Sequence, residues 1–424
     1  MFTNHCSKCS FLAIIISLLL FTSSIGIAQQ VDSLQQTQNN LLRVFLDCGG
    51  CNFSIIQNEV PFINYVRDPA QAQIHVLVNW QNTGSGGRLY NFEFIGREEF
   101  RRKNQTLTFT SLQTDTDIKR QEGIAKVLMM GLMPYVSQTN LADQIKIVYD
   151  GKKVNNILQE TIDPWDNWVF SIDLRGGYDA EENNNSFELE NWISGNRVTE
   201  DWRFRNSFQY EFEEENFSDN GETIKSTRKS LYGAASVVKS FSTHWSAGMF
   251  GEVRASTYEN IRLNPSLYPG IEYNFFQWSD YSREILTLGY YLGYKNFDYI
   301  DKTIYNKLNE DLIFHSIRLE ADLKQPWGNF WGIFGFSHYL QLDKKYNMRF
   351  EAYLALRVAE GLSFTLGVEA ESIHDQLYLP SGDASLEEIL LKQRQLQTTY
   401  NFESSVGLRY TFGSIYNNVV NIRM

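Results

Sequence analysis

The feature that most constrains the fold of this chain is an alternation of apolar and polar residues that recurs between residues 165 and 412. In "WRFRNSFQYEFE", which begins at Trp202, one set of alternate positions is mostly aromatic and the other is charged or polar. Successive side chains of a β-strand point to opposite sides, so this pattern predicts a strand with one apolar and one polar face. The segments "HSIRLEADLK", "RFEAYLALRV" and "TYNFESSVGLRYTF" repeat the pattern.

About twelve such segments follow one another along the chain. They cover residues 167–178, 187–198, 201–214, 226–240, 245–259, 266–277, 283–297, 311–324, 328–342, 346–358, 362–376 and 395–412. The links between them alternate in length, with short ones near 199–201, 241–244, 278–282, 325–327 and 359–361. Only the link near 343–345 is short where a long one is expected. An even number of strands with short turns at one end is typical of outer-membrane β-barrels.

Tryptophan placement favours the same fold. Trp prefers the membrane–water interface because its ring is apolar and its N–H hydrogen-bonds to water. We predict an aromatic girdle of seven Trp residues at or beside the short links: Trp165, Trp168, Trp202, Trp245, Trp278, Trp327 and Trp331. A soluble β-sandwich also alternates, but it gives no reason for Trp to gather at one end or for a polar face so rich in full charges.

The polar face of the predicted strands carries charges of both signs. We predict that these residues line the lumen of the barrel: Asp173, Arg175, Arg203, Arg205, Glu211, Arg318, Glu320, Asp322, Arg349, Glu351, Glu369, Glu371, Glu403 and Arg409. About twelve strands enclose a modest bore. Facing charges either fill that bore as ladders, which gives a structural barrel, or line a narrow aqueous channel. The sequence leaves both alternatives open.

The first 42 residues predict export. Lys8, the apolar run "FLAIIISLLLF" and the small residues near Ala28 are typical of a cleaved signal peptide over residues 1–28. A retained N-terminal anchor is the alternative. A lipoprotein is less favoured, because no Cys lies directly after the apolar run. Residues 29–42 are rich in Gln and Asn and predict a flexible segment. The net charge of −12 argues against nucleic acid as a partner, because phosphate would be repelled.

Residues 43–150 predict a small α+β domain. Strands are expected at "RVFLD", Gln73–Trp80, "RLYNFEFIG" and "TLTFTS", and helices at Asn52–Phe62 and in "DTDIKRQEGIAKVLMMGLMPYV", which Asp115 or Thr116 can cap. The glycine-rich "TGSGG" lacks the Lys of a phosphate-binding loop and runs into a strand, so it predicts a hairpin. Residues 151–164 form a polar linker, and residues 165–424 form the barrel.

Cys48 and Cys51 are the cysteine pair that remains after signal cleavage. A C-x-x-C between a strand and a helix occurs in thioredoxin-like redox sites, in metal sites and as a local disulfide. Asp47 would raise the thiol pKa by like-charge repulsion, and the cis-proline position of a thioredoxin-like fold has no match. A metal would need more ligands than His75, the one histidine nearby in sequence. A structural disulfide, which an oxidising compartment allows, is therefore the favoured interpretation.

An enzyme on the barrel wall is the alternative function. His244, His315, His338 and His374 lie among the predicted strands. In His315–Ser316 and Ser337–His338, adjacent residues point to opposite faces, so neither pair forms a nucleophile–base contact by itself. Cross-strand partners are not visible in the sequence. A hydrolase acting on envelope lipid therefore stays open, and no catalytic residue, metal or cofactor is assigned.

Three stretches resemble a known group of proteins. They are "SSVGLRYTFGSIYNNVVNIRM", "NWISGNRVTEDWRF" and "NYVRDPAQAQIHVLVNWQNTGSGGRLYNFEFIG". They look like uncharacterised outer-membrane β-barrels of diderm bacteria, of the broad group that holds the salt-induced outer-membrane proteins. The resemblance covers most of residues 44–424 and implies location and fold, with little about activity. Such barrels usually end in an aromatic residue, whereas this chain ends in Met424, so Tyr410 and Phe412 or another segment must carry the insertion signal.

Together these features predict a small α+β periplasmic domain followed by an antiparallel transmembrane β-barrel of about twelve strands in the outer membrane. The expected function is a narrow, porin-like channel or a structural and envelope-binding barrel. The expected partners are outer-membrane lipid and, through residues 43–150, another envelope protein or peptidoglycan.

Overall fold

The computed structural model describes residues 41–146 apart from 85, residue 148, and residues 163–219, 222–277, 283–382 and 395–414. The predicted signal peptide, most of the segment 29–42 and of the linker 151–164, Trp278 and Met424 lie outside the described residues.

The N-terminal part is an α+β region, as predicted. Its elements are β1 (Arg43–Cys48), α1 (Phe53–Glu59), β2 (Asn64–Tyr65), β3 (Ile74–Asn82), β4 (Arg88–Gly96), β5 (Gln105–Ser111) and α2 (Asp117–Val136). The sheet order is β2-β1-β3-β4-β5, with β1 parallel to β2 and β3 and the other pairs antiparallel. "TGSGG" links β3 to β4 as a hairpin, as expected. No helix among the described residues is both long and apolar enough to cross a membrane.

Both helices pack on one face of this five-stranded sheet. Asn52 caps α1, and the hydroxyl of Thr116 accepts a hydrogen bond from the N–H of Lys119 at the start of α2. Apolar residues on alternate positions of β3 and β4 are fully buried against the helices. A Cβ added at Gly131 would clash with the ring of Phe94, so this glycine lets α2 approach the sheet closely. The opposite face of the sheet contacts the second part of the chain.

That second part is a single antiparallel sheet of twelve strands. They are β6 (Trp168–Ala180), β7 (Asn184–Val198), β8 (Trp202–Asp219), β9 (Glu222–Ser240), β10 (Trp245–Ser256), β11 (Ile261–Asn274), β12 (Glu284–Tyr299), β13 (Asn309–Gln325), β14 (Gly328–Tyr339), β15 (Tyr346–Ala359), β16 (Leu362–Ile373) and β17 (Tyr400–Tyr410). Each strand pairs with its neighbours in sequence, which confirms the predicted strand number and order. Within the described residues β6 and β17 are the two edges of the sheet and do not pair with each other. Closure into a barrel therefore stays a prediction.

Two ends of the sheet can be distinguished. The turns at 199–201, 241–244, 326–327 and 360–361 lie at one end, which we call the short-turn end. The loops at 257–260, 300–308 and 340–345 lie at the far end. The predicted alternation of link lengths holds only in part, because the far-end links at 181–183 and 257–260 have three and four residues, whereas nine residues separate β11 from β12 at the short-turn end.

Candidate functional site: the charged face of the twelve-stranded sheet

Register places the predicted lumen residues on one face. Directly paired residues of neighbouring strands share a face. Arg175 pairs with Glu190, which in turn pairs with Glu211. The same rule connects each strand to the next, and we call the resulting surface the charged face. It contains all fourteen predicted lumen residues: Asp173, Arg175, Arg203, Arg205, Glu211, Arg318, Glu320, Asp322, Arg349, Glu351, Glu369, Glu371, Glu403 and Arg409.

The opposite face is apolar and exposed. Leu174, Leu267 and Val406 are 73%, 56% and 71% exposed, and large apolar side chains of the other strands are exposed beside them. Water-soluble proteins rarely leave a continuous apolar surface larger than a few hundred Å² uncovered. This face therefore needs an apolar surrounding or a partner.

Charges on the charged face are only partly neutralised. The described ion pairs include Arg318–Glu320 at 3.1 Å, Arg349–Glu369 at 3.6 Å and Arg228–Glu213. Like charges also stand opposite one another, because Glu190 pairs directly with Glu211 and Glu188 with Glu213. Direct opposition of like charges is unfavourable unless water or counterions separate them. The face is thus built for a hydrated surrounding.

Two cavities lie against the charged face. The larger, of about 730 Å³, is lined by Arg228, Tyr232, Glu252, Arg254 and Lys295 among others. The second, of about 570 Å³, lies between this face and the α+β domain. Its lining includes Thr83 and Gln113 of the domain and Ser194, Arg205 and Tyr268 of the sheet. Side-chain ladders do not fill these spaces, so polar solutes have room beside the charged face.

The α+β domain contacts the short-turn end of the large sheet through the face of β1 and β3 that the helices leave uncovered. His75 and Leu77 on that face are buried, with 1% and 3% of their surface exposed. A guanidinium N–H of Arg357, at the end of β15, donates to Asp47 over 2.6 Å and a second one donates to the carbonyl of Pro326 over 3.0 Å. Nε2 of His75 lies 3.4 Å from the same carboxylate.

The environment of Asp47 favours its charged form. Burial alone would raise the pKa of this carboxyl group, but the contact with His75 and the hydrogen bond and positive charge of Arg357 outweigh burial and lower the pKa below its usual value. The ring of Phe45 also lies 5.4 Å from the guanidinium of Arg357. Asp47 and Arg357 therefore form a charged contact between the two parts of the chain.

Further polar contacts surround this one. Arg283 donates to Glu93 of β4 over 3.0 Å and to Gln325 over 2.9 Å, so it joins the domain to two strands of the sheet. Asp68 accepts from the N–H of Gly361, in the turn between β15 and β16. Together with Asp47–Arg357, we call these contacts the domain interface. The domain covers the short-turn end of the charged face.

At the far end, residues 374–382 run across the strand ends, from β16 towards the loops that follow β12 and β10. We call them the crossing segment. They follow β16, yet Leu379 accepts from the N–H of Ile304 over 2.9 Å, and the N–H of Ser381 donates to Lys302 over 2.7 Å. The side chain of Asn260 donates to the carbonyls of Tyr378 and Asp301. The segment thus reaches the loops after β10 and β12, several strands away from its origin.

An apolar cluster holds the crossing segment in place. Leu377 is 2% exposed and packs with residues of the charged-face side of β12, β13 and β14 near the far end. The cluster consists of Ile261, Phe297, Tyr299, Leu312, Phe314, Tyr339 and Leu377. The ammonium group of Lys295, which lines the 730 Å³ cavity, lies 4.8 Å from the ring centre of Phe314. The crossing segment and the larger cavity therefore adjoin.

Most described Trp residues of the predicted girdle occupy the short-turn end. Trp168, Trp202 and Trp245 lie there on the apolar face, and Trp165 and Trp327 lie beside the strand ends. Trp331 instead pairs with Asp322 and Tyr353 and so lies on the charged face. In "GNFWGIFGF" both sets of alternate positions contain aromatic residues, so the sequence pattern does not show which way Trp331 points.

Cys48 and Cys51 form a disulfide between β1 and α1, with Cα atoms 5.6 Å apart. Both pack against the core of the α+β region. The nearby His75 contacts Asp47 rather than either sulfur. Within the described ranges, no three His, Cys, Asp or Glu side chains come together as metal ligands would. The disulfide therefore links the end of β1 to the start of α1, where a structural role suits it.

The histidines of the predicted hydrolase alternative are arranged across strands. His315 pairs with His338 on the apolar face, whereas Ser316 pairs with Ser337 on the charged face. The Nδ1 atom of His374 lies 3.3 Å from the hydroxyl of Ser372, a contact that sequence reasoning missed. Among the described residues, no carboxylate is hydrogen-bonded to the other nitrogen of this ring. A serine–histidine–acid arrangement is therefore not formed there.

No protein-family model matches this chain, and no curated protein matches it with significance. The resemblance to salt-induced outer-membrane proteins stays a prediction.

Proposed function

We propose that this protein is an outer-membrane β-barrel that provides a narrow, normally closed channel for small polar solutes. The observation that carries the proposal is the division of one twelve-stranded sheet into a charged face and a continuously exposed apolar face. Only helices and closed barrels satisfy their backbone groups in lipid, and outer-membrane barrels place apolar residues outward and polar residues inward. Most strands of the sheet have this pattern, and β14 around Trp331 is the clearest exception.

Pairing of β6 with β17 would close the barrel. Both edge strands are almost fully exposed, and an uncovered sheet edge is prone to pair with another strand. Because Arg175 and Glu403 share the charged face, closure brings opposite charges into one lumen. The apolar residues of both strands then complete the lipid-facing surface.

The cavities support a channel over a purely structural barrel. A barrel filled by charge ladders would leave no space beside its inner face, whereas cavities of about 730 and 570 Å³ remain here. The α+β domain covers the short-turn end. Because short turns face the periplasm in outer-membrane barrels, this position supports a periplasmic domain and a closed resting form. Its α2 side, where Ile118 and Met130 are exposed, faces away from the barrel and is available to another envelope component.

Cysteine cross-linking tests the closure. In a Cys48→Ser, Cys51→Ser background, Arg175→Cys would be combined in turn with Glu403→Cys, Ser405→Cys and Gly407→Cys, all on the charged face. Ser404→Cys, on the apolar face, is the matched control. We expect a cross-link with at least one charged-face partner and none with the control, seen as altered mobility of the denatured protein. Failure of all three charged-face pairs in membrane-inserted protein would refute the barrel.

Single-channel recording tests the transport function. Purified protein in planar bilayers should show rare, small current steps, because the pore is narrow and the domain covers one mouth. Heat-modifiable mobility on gels would verify that the sample is folded. Folded protein that never conducts, even after the domain interface is disrupted as described in the Discussion, would favour the structural barrel instead.

A further inference from the structure

We propose that the crossing segment, residues 374–382, is a gate that controls access to the 730 Å³ cavity from the far end. This inference rests on the proposed channel function and adds a means by which the channel is regulated. If the sheet closes, β16 and the loops after β10 and β12 stand on different sides of the mouth. A segment anchored at one side and bound at the other then spans the opening.

The contacts that hold the segment are separable from the fold of the sheet. At its start the N–H of His374 donates to Tyr346 of β15, and the side chains of Asp375 and Gln376 bond to Asn347, Leu396 and Thr398. The rest of the segment, residues 377–382, is held by main-chain bonds with Lys302 and Ile304 in the loop after β12 and by the side chain of Asn260 in the loop after β10. Only the bond of His374 continues the pairing of β15 with β16, and the bonds that hold residues 377–382 belong to no ladder between the twelve strands. Displacing residues 377–382 therefore leaves all twelve strands paired.

The apolar cluster makes the closed position the preferred one. Leu377 and Leu379 are 2% and 5% exposed, and release of the segment would bring them and the rings around Phe314 into water. Burial of such side chains favours the closed form. Asn260 fixes the position of the segment, because its side-chain amide donates to both the crossing segment and the loop after β12. The backbone of Asn260 has a φ of 59°. Asparagine tolerates this left-handed conformation better than most residues do.

A reversible disulfide tests the gate directly. Thr303 and Pro380 are bridge partners, one on the loop and one on the crossing segment. We would introduce Thr303→Cys and Pro380→Cys in the Cys48→Ser, Cys51→Ser background, so that the new pair alone responds to reductant. The oxidised protein should lose its current steps, and reduction should restore them. Equal conductance in both states would overturn the gate while leaving the channel intact.

A labelling experiment keeps the gate testable if no current is seen. Ser266 lines the cavity and is 8% exposed. A single Ser266→Cys in the same background would be labelled with a bulky, membrane-impermeant maleimide added to cells. Adding Asn260→Ala should raise the labelling rate several-fold. Asn216→Ala is the control, because its amide bonds to Asn185 near the same end without touching the crossing segment. No change with Asn260→Ala would refute the gate whether or not the protein conducts.

Discussion

Replacing Phe208 with arginine is expected to prevent membrane assembly, whereas replacing its neighbour Gln209 with arginine should not. Phe208 lies on the apolar face of β8 and is 40% exposed, and Gln209 lies on the charged face beside Glu211. Arginine on the lipid side of an outer-membrane barrel costs about 2–4 kcal/mol near the bilayer midplane. Both variants add one positive charge, at adjacent positions of the same strand. The main difference between them is the face of the sheet on which the charge lies.

Each variant would be refolded from urea into lipid vesicles. The urea concentration at the unfolding midpoint would measure stability, and heat-modifiable mobility on gels would measure how much protein has folded. Phe208→Arg should lower the folding equilibrium constant by roughly 30–700-fold, as expected for a loss of that size, and should therefore lower the urea midpoint. In cells it should accumulate outside the outer membrane. Gln209→Arg should behave like the unchanged protein. If both variants fold equally well, the apolar face does not contact lipid, and the barrel proposal fails.

The regular part of this fold could be read from the sequence because the determining information is local. Alternation along β8 and β13 identifies each strand and both of its faces without knowledge of any partner. The same local reading predicts α2 and offers Asp115 or Thr116 as its cap, of which the structure uses Thr116. The pattern fails where both faces are apolar, as around Trp331. It also fails at the end of β16, which was expected to reach residue 376 but stops at Ile373, where the chain leaves the ladder to become the crossing segment.

The contacts that would regulate the protein could not be read in the same way. Asp47 and Arg357 are 310 positions apart, and each is an ordinary charged residue in its own segment. Leu377 and Leu379 form too short an apolar stretch to stand out, and Asn260 resembles any turn residue. The partners of such residues depend on the tertiary arrangement, which places the domain and the crossing segment at opposite ends of the sheet.

Disrupting the domain interface is expected to open the short-turn end of the channel. The double variant Arg283→Ala, Arg357→Ala removes the charged hydrogen bonds to Glu93 and Asp47. Each such bond contributes on the order of 1–2 kcal/mol when partly shielded from water. Docking should therefore weaken by roughly 30–700-fold, because the two losses total about 2–4 kcal/mol. Current steps in planar bilayers should become correspondingly more frequent. Arg197→Ala is the control, because it removes an ion pair with Asp166 at the same end of the sheet without touching the domain interface or the crossing segment.

Acid should also weaken docking of the α+β domain, because it protonates Asp47 and removes the negative charge that Arg357 contacts. The groups facing this carboxylate are His75 and Arg357, and they lower its pKa in the docked state. His75 belongs to the same domain as Asp47, so the ion pair with Arg357 is the part of this contribution that favours docking. That part is fully present above the ordinary carboxyl pKa of about 4 and is lost as pH falls through the lowered value. Limited proteolysis of residues 43–136 in the intact protein should accelerate over that range. Asp47→Asn should be cleaved faster at neutral pH and lose most of the acid dependence, whereas an unchanged pH profile would show that another carboxylate controls release.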